Sequence, residues 1–257
     1  MLLILSPSKS QSLNGKTIAD WSMPQLLSET EQLASILRAM DEEALAKLMD
    51  LSPRLAAQTY AQFQNMAFPF TPENSAQALS VFRGAQYKVM AVDNYGQEEF
   101  RHAQQHIAII SGLYGLLRPL DLIQPYRLEM ATRLITVRGC NLYQFWGTLP
   151  TETLQKLLSQ QNNPVLVDLA SREYSRAIHV RQLGSPILHI DFKEQRGEKT
   201  RVIAVYAKRA RGLMADWVIR HRIKEIEDLR RFARSGYRFN EKMSSQWHWI
   251  FCRPASS

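Results

Sequence analysis

Lysine and arginine side chains recur directly after short apolar runs of this sequence. These runs cover residues 2–5, 165–170 and 202–206. The cations that follow them are Lys9, Arg172, Lys208, Arg209 and Arg211. Ammonium groups bind phosphate as point charges, and guanidinium groups bind it through paired N–H donors. The pattern therefore predicts a phosphate-binding site built from several separate segments.

Hydroxyl and carboxyl groups beside these runs suggest a second chemistry. Ser111 follows the apolar run 107–110, Asp168 lies in the run 165–170, and Glu173 comes shortly after it. Together with Lys9, these residues could supply an acid–base pair or a reactive amine. Carboxylates beside several arginines also serve as salt-bridge partners, so the four residues are candidates and the catalytic residues stay unassigned.

Two further arginines flank a proline-bounded turn at 119–125. They are Arg118 and Arg127, and the acidic residues Asp121 and Glu129 lie close to them in sequence. A phosphate contact and a structural ion pair are equally consistent with this mixture of charges. We include both arginines among the predicted phosphate ligands and keep the ion pair as the alternative.

The segment Gly112, Tyr114 and Gly115 admits two conformations. In the first, residues 107–110 form a strand and the glycines form a loop whose N–H groups face a DNA phosphate. In the second, a helix that begins near Gln97 continues, and the glycines form the turn of a helix–hairpin–helix. Both interpretations place these three residues at a DNA contact.

Metal-binding patterns are weak in this sequence. His102 and His106 are four residues apart, as two ligands on one helix face would be, but no third ligand is near them. The two cysteines, Cys140 and Cys252, lack the spacing of a zinc site. We predict no metal and no cofactor, and we expect the cysteines to be free, buried thiols in a reducing cytoplasm.

The apolar runs also predict the fold. Runs of four to six apolar residues are typical of strands buried on both faces, and here segments of helical periodicity separate them. The prediction is an α/β fold, with α+β as the alternative: a mixed, largely parallel sheet flanked by helices. We expect one domain over residues 1–257. The carboxyl ends of parallel strands share one edge, where ligands bind.

Charge is distributed unevenly along the chain. Residues 1–100 carry 7 basic and 11 acidic residues, a net charge of −4, whereas residues 101–257 carry 25 basic and 13 acidic residues, a net charge of +12. Such an asymmetry is expected when one face binds a polyanion, although a solvated basic surface would look the same. No apolar run reaches the roughly 20 residues that a membrane span requires, so we expect a cytoplasmic protein without membrane contact.

Several motifs, taken in order, resemble the YaaA family of bacterial peroxide-stress proteins. The most specific is the block from Leu113-Tyr114-Gly115-Leu116-Leu117-Arg118-Pro119-Leu120-Asp121 to Gln124-Pro125-Tyr126-Arg127-Leu128-Glu129-Met130. Shorter matches are Ser6-Pro7-Ser8-Lys9, Leu142-Tyr143-Gln144-Phe145-Trp146-Gly147, Leu169-Ala170-Ser171 and Ala207-Lys208-Arg209-Ala210-Arg211-Gly212. The family commonly has Ala, Thr and Asn where this chain has Ser8, Ser10 and Asp168.

This resemblance implies a cytoplasmic protein, induced by hydrogen peroxide, that limits free iron and so reduces Fenton damage. It also implies a basic cleft, a helix–hairpin–helix-like element at 112–119, and binding to duplex and distorted DNA. The family supplies no established catalytic residues. The leading hypothesis is therefore DNA binding that depends on DNA structure rather than sequence. The alternative is an enzyme that acts on a nucleotide or nucleobase-like molecule in the same cleft.

Overall fold

An eight-stranded, mainly parallel sheet forms the centre of the molecule. The computed structural model describes residues 1–197 and 199–255. The strands are β1 (Leu2–Leu5), β2 (Ala76–Gln77), β3 (Ile107–Ser111), β4 (Gly115–Leu117), β5 (Leu122–Ile123), β6 (Leu166–Asp168), β7 (Ile187–Arg196), β8 (Lys199–Arg201), β9 (Arg238–Phe239) and β10 (His248–Pro254). The main sheet has the order β4-β3-β1-β6-β7-β10-β9, and β8 pairs with β7; β2 and β5 form a separate pair.

Helices flank this sheet. They are α1 (Leu27–Arg38), α2 (Glu42–Met49), α3 (Pro53–Asn65), α4 (Ala78–Val81), α5 (Ala85–Met90), α6 (Gln97–His106), α7 (Leu142–Trp146), α8 (Leu149–Ser159), α9 (Arg172–Ser175), α10 (Val180–Leu183) and α11 (Ala204–Arg220). Asp41 caps α2 by accepting a hydrogen bond from the Ala44 N–H group at 2.8 Å. The mixed α/β architecture predicted from the apolar runs is confirmed.

The strand order reverses direction at β1. After β1 the chain adds β3 on one side, and after β3 it crosses over to add β6 on the other side, both parallel to β1. A crevice forms outside the carboxyl end of a parallel strand where the order reverses in this way. The topology therefore places the candidate site at the residues that follow Leu5.

The apolar run 202–206 is not a strand, contrary to the sequence prediction. β8 ends at Arg201, and α11 begins at Ala204. Small residues explain the difference, since Ala207 and Ala210 are buried and let α11 pack closely beside α5. Helical periodicity over the longer segment outweighs the strand preference of five residues.

The segment 107–117 is a β-hairpin. α6 ends at His106, and β3 and β4 then pair antiparallel with Ser111 opposite Gly115. The strand interpretation is therefore correct at this position, and the helix–hairpin–helix interpretation is wrong here. β-branched residues at 107, 109 and 110, all fully buried, favour the strand over a continued helix.

Among the described residues, no helix is long and apolar enough to cross a membrane. The cysteines are unpaired, as predicted, but they are not buried: Cys140 is exposed and Cys252 is partly exposed.

Candidate functional site

A cleft of about 310 Å³ opens at the carboxyl end of β1. Ser6 joins two of its walls, since the Ser6 hydroxyl accepts a hydrogen bond from the Ser171 N–H group at 2.8 Å. The Ser6 carbonyl also accepts a hydrogen bond from the buried Tyr87 hydroxyl at 2.8 Å, which fixes α5 to the end of β1. Lys9, Lys208 and other polar side chains line the cleft. The predicted edge of the sheet is thus the place where residues from distant segments meet.

Lys9 stands between this cleft and a second cavity of about 370 Å³. Its ammonium group lies 2.5 Å from a carboxylate oxygen of Glu129, and both residues line both cavities. Of these two cavities, Arg127 lines the second. The ion pair between Arg127 and Glu129, the alternative drawn from the sequence, is therefore not formed, because Glu129 pairs with Lys9.

Two guanidinium groups at these cavities have unused hydrogen-bonding capacity. The Nε atoms of Arg127 and Arg211 are buried and have no hydrogen-bond partner among the described residues. Burial lowers the pKa of Arg211, and the nearby carboxylates of Asp168 and Asp191 oppose that shift. A buried donor without a partner costs free energy, and a bound anion would remove that cost.

The three cations of α11 do not share one surface. Lys208 and Arg211 are three residues apart, lie on one side of the helix and line the 310 Å³ cleft. Arg209 instead lines a separate cavity of about 240 Å³ with Tyr206 and Arg253. Successive helical residues point about 100° apart, which separates Arg209 from its neighbours. The prediction that these three residues act together is therefore wrong for Arg209.

The amino end of α11 contributes to the same cleft. Ala204 and Ala207, in the first turn of the helix, line the cavity together with Lys208. The first N–H groups of a helix have no acceptor within the helix, and they favour a nearby anion. Helix and side-chain donors thus converge on one volume.

Arg118 lies at the opposite edge of the sheet. β4 runs antiparallel to β3, so its end lies beside the amino end of β1, and Arg118 lines a cavity there with Met1. Its guanidinium donates hydrogen bonds at 2.8 and 3.2 Å to the buried carboxylate of Asp121, and its backbone N–H donates another at 2.7 Å. Arg118 is therefore a structural residue, and its predicted place at the phosphate site is wrong.

The hairpin residues predicted at the DNA contact are buried. The Tyr114 side chain is fully inaccessible, and its hydroxyl donates a hydrogen bond to the Gln124 carbonyl at 3.0 Å. A Cβ atom on Gly112 would lie 2.4 Å from the Leu128 carbonyl oxygen, and Gly115 has φ +67°. Close packing and backbone conformation explain these glycines, and none of the three residues reaches the surface.

The four candidate catalytic residues do not all lie in the cleft. Lys9 and Glu173 line the cleft. Ser111 is fully buried, and its hydroxyl lies 2.6 Å from the Tyr126 hydroxyl, so it is inaccessible to a substrate. Asp168 accepts hydrogen bonds from the Ala170 N–H group at 2.9 Å and the Ser175 hydroxyl at 2.8 Å. These bonds hold the connection between β6 and α9.

Asp168 has a partner that the sequence analysis missed. His189, its register partner on β7, places Nδ1 3.3 Å from an Asp168 carboxylate oxygen, and this hydrogen bond raises the pKa of His189. A lone histidine in an apolar run carries no signal of this pairing. Arg172, on α9, is exposed. Among the residues that the structure describes, no group of three or more His, Cys, Asp or Glu side chains is arranged to hold a metal ion.

Comparison with known proteins places this geometry in a family. The family model described as peroxide stress protein YaaA matches residues 1–243. The chain belongs to this family. A UPF0246 protein of Acaryochloris marina is 44% identical over 253 residues, which cover 98% of this chain and 100% of the relative. A UPF0246 protein of Cellvibrio japonicus is 41% identical over 254 residues, which cover 98% of each chain.

A UPF0246 protein of Neisseria meningitidis serogroup B is 40% identical over 256 residues, again 98% of each chain. The resemblance drawn from the motifs is thus confirmed over nearly the whole chain. Membership of the YaaA family connects the protein with peroxide stress.

Proposed function

We propose that this YaaA-family protein binds DNA through the carboxyl edge of its sheet during peroxide stress. One observation carries the proposal. Three cations from two segments line the cavities at the end of β1, and none of them forms an ion pair with any described residue: Arg127, Lys208 and Arg211. Arg172 is exposed on α9, next to the cleft residue Ser171, and also has no ion-pair partner among the described residues. In contrast, Lys9 is neutralised by Glu129 and Arg118 by Asp121.

Unpaired cations grouped around a crevice match the chemistry of a phosphate backbone. Each phosphate contact releases condensed counterions, so the affinity falls as the salt concentration rises, with a slope of about −0.9 per contact on a log–log plot. Contacts of this kind position the DNA without reading its sequence. The site therefore supports recognition of DNA structure rather than of a base sequence.

Binding to the DNA backbone would protect DNA during peroxide stress. Iron bound to DNA produces hydroxyl radicals beside the bases, and a protein that occupies the backbone displaces cations from it. Occupancy of the backbone would therefore keep iron away from the bases. It would not by itself lower the concentration of free iron, so the limitation of free iron that the family resemblance implies stays a separate expectation.

A second candidate function is a reaction or binding event on a nucleotide-like small molecule. The 310 Å³ cleft favours it, because this volume lies at the lower end of the range for small-ligand sites. Lys9, Glu173, Ser6 and Ser171 would then contact the ligand. Replacing Lys9 by alanine should abolish turnover and change DNA affinity only slightly if this candidate is correct.

Fluorescence anisotropy with labelled duplex and bubble DNA across a salt series tests the first proposal. The variants are Lys208→Gln and Arg127→Gln, and Arg209→Gln is the matched control, since Arg209 lies on the same helix as Lys208 but outside the cleft. We expect each of the two variants to flatten the salt slope by about 0.9. The control should keep the wild-type slope.

Equal slopes for all three variants and the wild type would contradict the proposed site. Thermal unfolding with added deoxynucleoside monophosphate separates the second candidate, since a ligand that binds only the folded state raises the melting temperature. A rise in the wild type that Lys9→Ala removes, without measurable DNA binding, would favour the small-molecule function.

A further inference from the structure

Two aliphatic side chains protrude from the molecule at one tight turn. Ile135 is 76% exposed and Val137 is 102% exposed, the highest values among the exposed large hydrophobic residues of the described chain. Both flank Thr136 at the tip of a segment that begins with the buried Leu134. Aliphatic groups gain free energy when they leave water, so a pair held outward at one point is a candidate contact surface.

The turn is held rigidly. The Thr136 N–H group donates to the Gly139 carbonyl at 2.8 Å, and the Gly139 N–H group donates back to Thr136 at 3.2 Å. The Arg138 guanidinium lies 4.9 Å from the centre of the Phe145 ring and 3.7 Å from a Glu29 carboxylate oxygen. Arg138 is therefore used to anchor the turn. A rigid tip presents its side chains without an ordering cost on binding.

The tip adjoins the proposed DNA site. Ala131 and Thr132 line the 370 Å³ cavity together with Lys9 and Arg127. Ile135 follows Ala131 by four residues, so the two lie at most about 14 Å apart along an extended chain. This separation is smaller than the width of a DNA duplex. DNA that contacts Arg127 is therefore within reach of the tip.

The charge beside the tip favours DNA over other partners. Arg133 is exposed and forms no ion pair with any described residue. An exposed cation next to protruding aliphatic side chains is the combination that DNA-bending proteins use: the cation contacts phosphate, and the aliphatic wedge enters between base pairs. An apolar protein partner would leave this cation without an acceptor.

We propose that Ile135 and Val137 insert between stacked bases of the DNA bound at the carboxyl edge. This inference rests on the proposed function and adds a local mode of recognition to it. Unstacking costs least where base pairs are already open, so the wedge produces a preference for bubbles and mismatches over intact duplex. The tip would then select distorted DNA, and the cations of the cleft would hold the backbone.

The test uses the full-length protein and DNA with 2-aminopurine, whose fluorescence rises when the base is unstacked. The variant is Ile135→Ala/Val137→Ala, and Val180→Ala is the matched control, an exposed aliphatic residue on α10 that lines none of the cavities at the carboxyl edge. We expect the wild type and the control to raise the fluorescence. The double variant should lose this rise and bind bubble DNA about tenfold more weakly.

The salt slope of the double variant should equal that of the wild type, because no charge is removed. The two proposals fail in different ways. Steep, salt-dependent binding of wild-type protein without a fluorescence change, or with a change that the double variant keeps, overturns the wedge alone. No DNA binding by wild type at low salt overturns both. A double variant that loses self-association and keeps its DNA affinity assigns the tip to a protein contact and also overturns the wedge.

Discussion

Replacing Arg118 by alanine separates a structural role from a phosphate-binding role for this side chain. Asp121 is fully buried, and Arg118 gives it two side-chain hydrogen bonds. Removing one partner of a buried ion pair costs about 3–5 kcal/mol. Asp121 keeps two other donors, the backbone N–H group of residue 118 and the Ser22 hydroxyl, so we expect a loss near the lower limit, about 3 kcal/mol.

Urea unfolding and thermal unfolding measure this loss. For a chain of this size 1 kcal/mol corresponds to about 2–4 °C, so the melting temperature should fall by about 6–12 °C. DNA binding below the transition should be unchanged. Arg209→Ala is the control, because Arg209 is exposed and has no ion-pair partner among the described residues; its melting temperature should equal that of the wild type.

The pH dependence of the loss gives a second test. Burial raises the pKa of Asp121, and Arg118 opposes that shift. Without Arg118 the pKa of the folded carboxyl rises further, so the folded state binds the proton more tightly than the unfolded chain does. Stability then falls as the pH rises, and the loss should be smaller at pH 5 than at pH 8. An unchanged melting temperature with a salt slope flatter by about 0.9 would refute the structural role.

Three further predictions concern packing, pH and capping. Gly212→Ala should lower the free energy of unfolding by about 1–3 kcal/mol in urea titrations, because the new Cβ atom would lie 2.1 Å from the Gln86 carbonyl oxygen; unchanged stability would contradict the close packing of α11 on α5. Burial lowers the pKa of His102 to about 4 from 6.5, so stability should be full above pH 6.5 and fall by at most about 3 kcal/mol as the pH drops to 4. His102→Asn should flatten that part of the pH profile, and a profile identical to wild type would contradict it. Asp41→Ala should cost about 1 kcal/mol in the same titrations through loss of the bond to the Ala44 N–H group, and Asp41→Asn should restore most of it.

The apolar runs predict most of the sheet correctly. Residues 2–5, 107–111 and 166–168 form adjacent strands because continuous burial on both faces leaves a recognisable pattern. The run 202–206 misleads, since the packing of small residues against α5 is a tertiary contact that local sequence does not contain. The same limit applies to the pairing of Asp168 with His189, which depends on register between two strands.

The candidate site is predicted in part. Lys9, Lys208 and Arg211 lie near the end of β1, as expected, because parallel strands bring their carboxyl ends to one edge. Arg118 is misplaced because β4 turns back antiparallel, and nothing in the sequence around it distinguishes a tight hairpin from a crossover. Arg209 is misplaced because residues 204–206, expected as part of a strand, belong to α11. On this helix Lys208 and Arg211 share one side, and Arg209 lies on another.

The central position of β1 has a consequence for folding during synthesis. β1 is synthesised well before its two neighbours in the sheet, which begin only at Ile107 and Leu166. At a synthesis rate of about 5–20 residues per second, this apolar strand waits roughly 5 to 30 seconds for both partners. Until then its edges are open to pairing with other chains. The nascent protein therefore depends on early packing of α1 to α6, or on a chaperone, to keep Leu2–Leu5 out of aggregates.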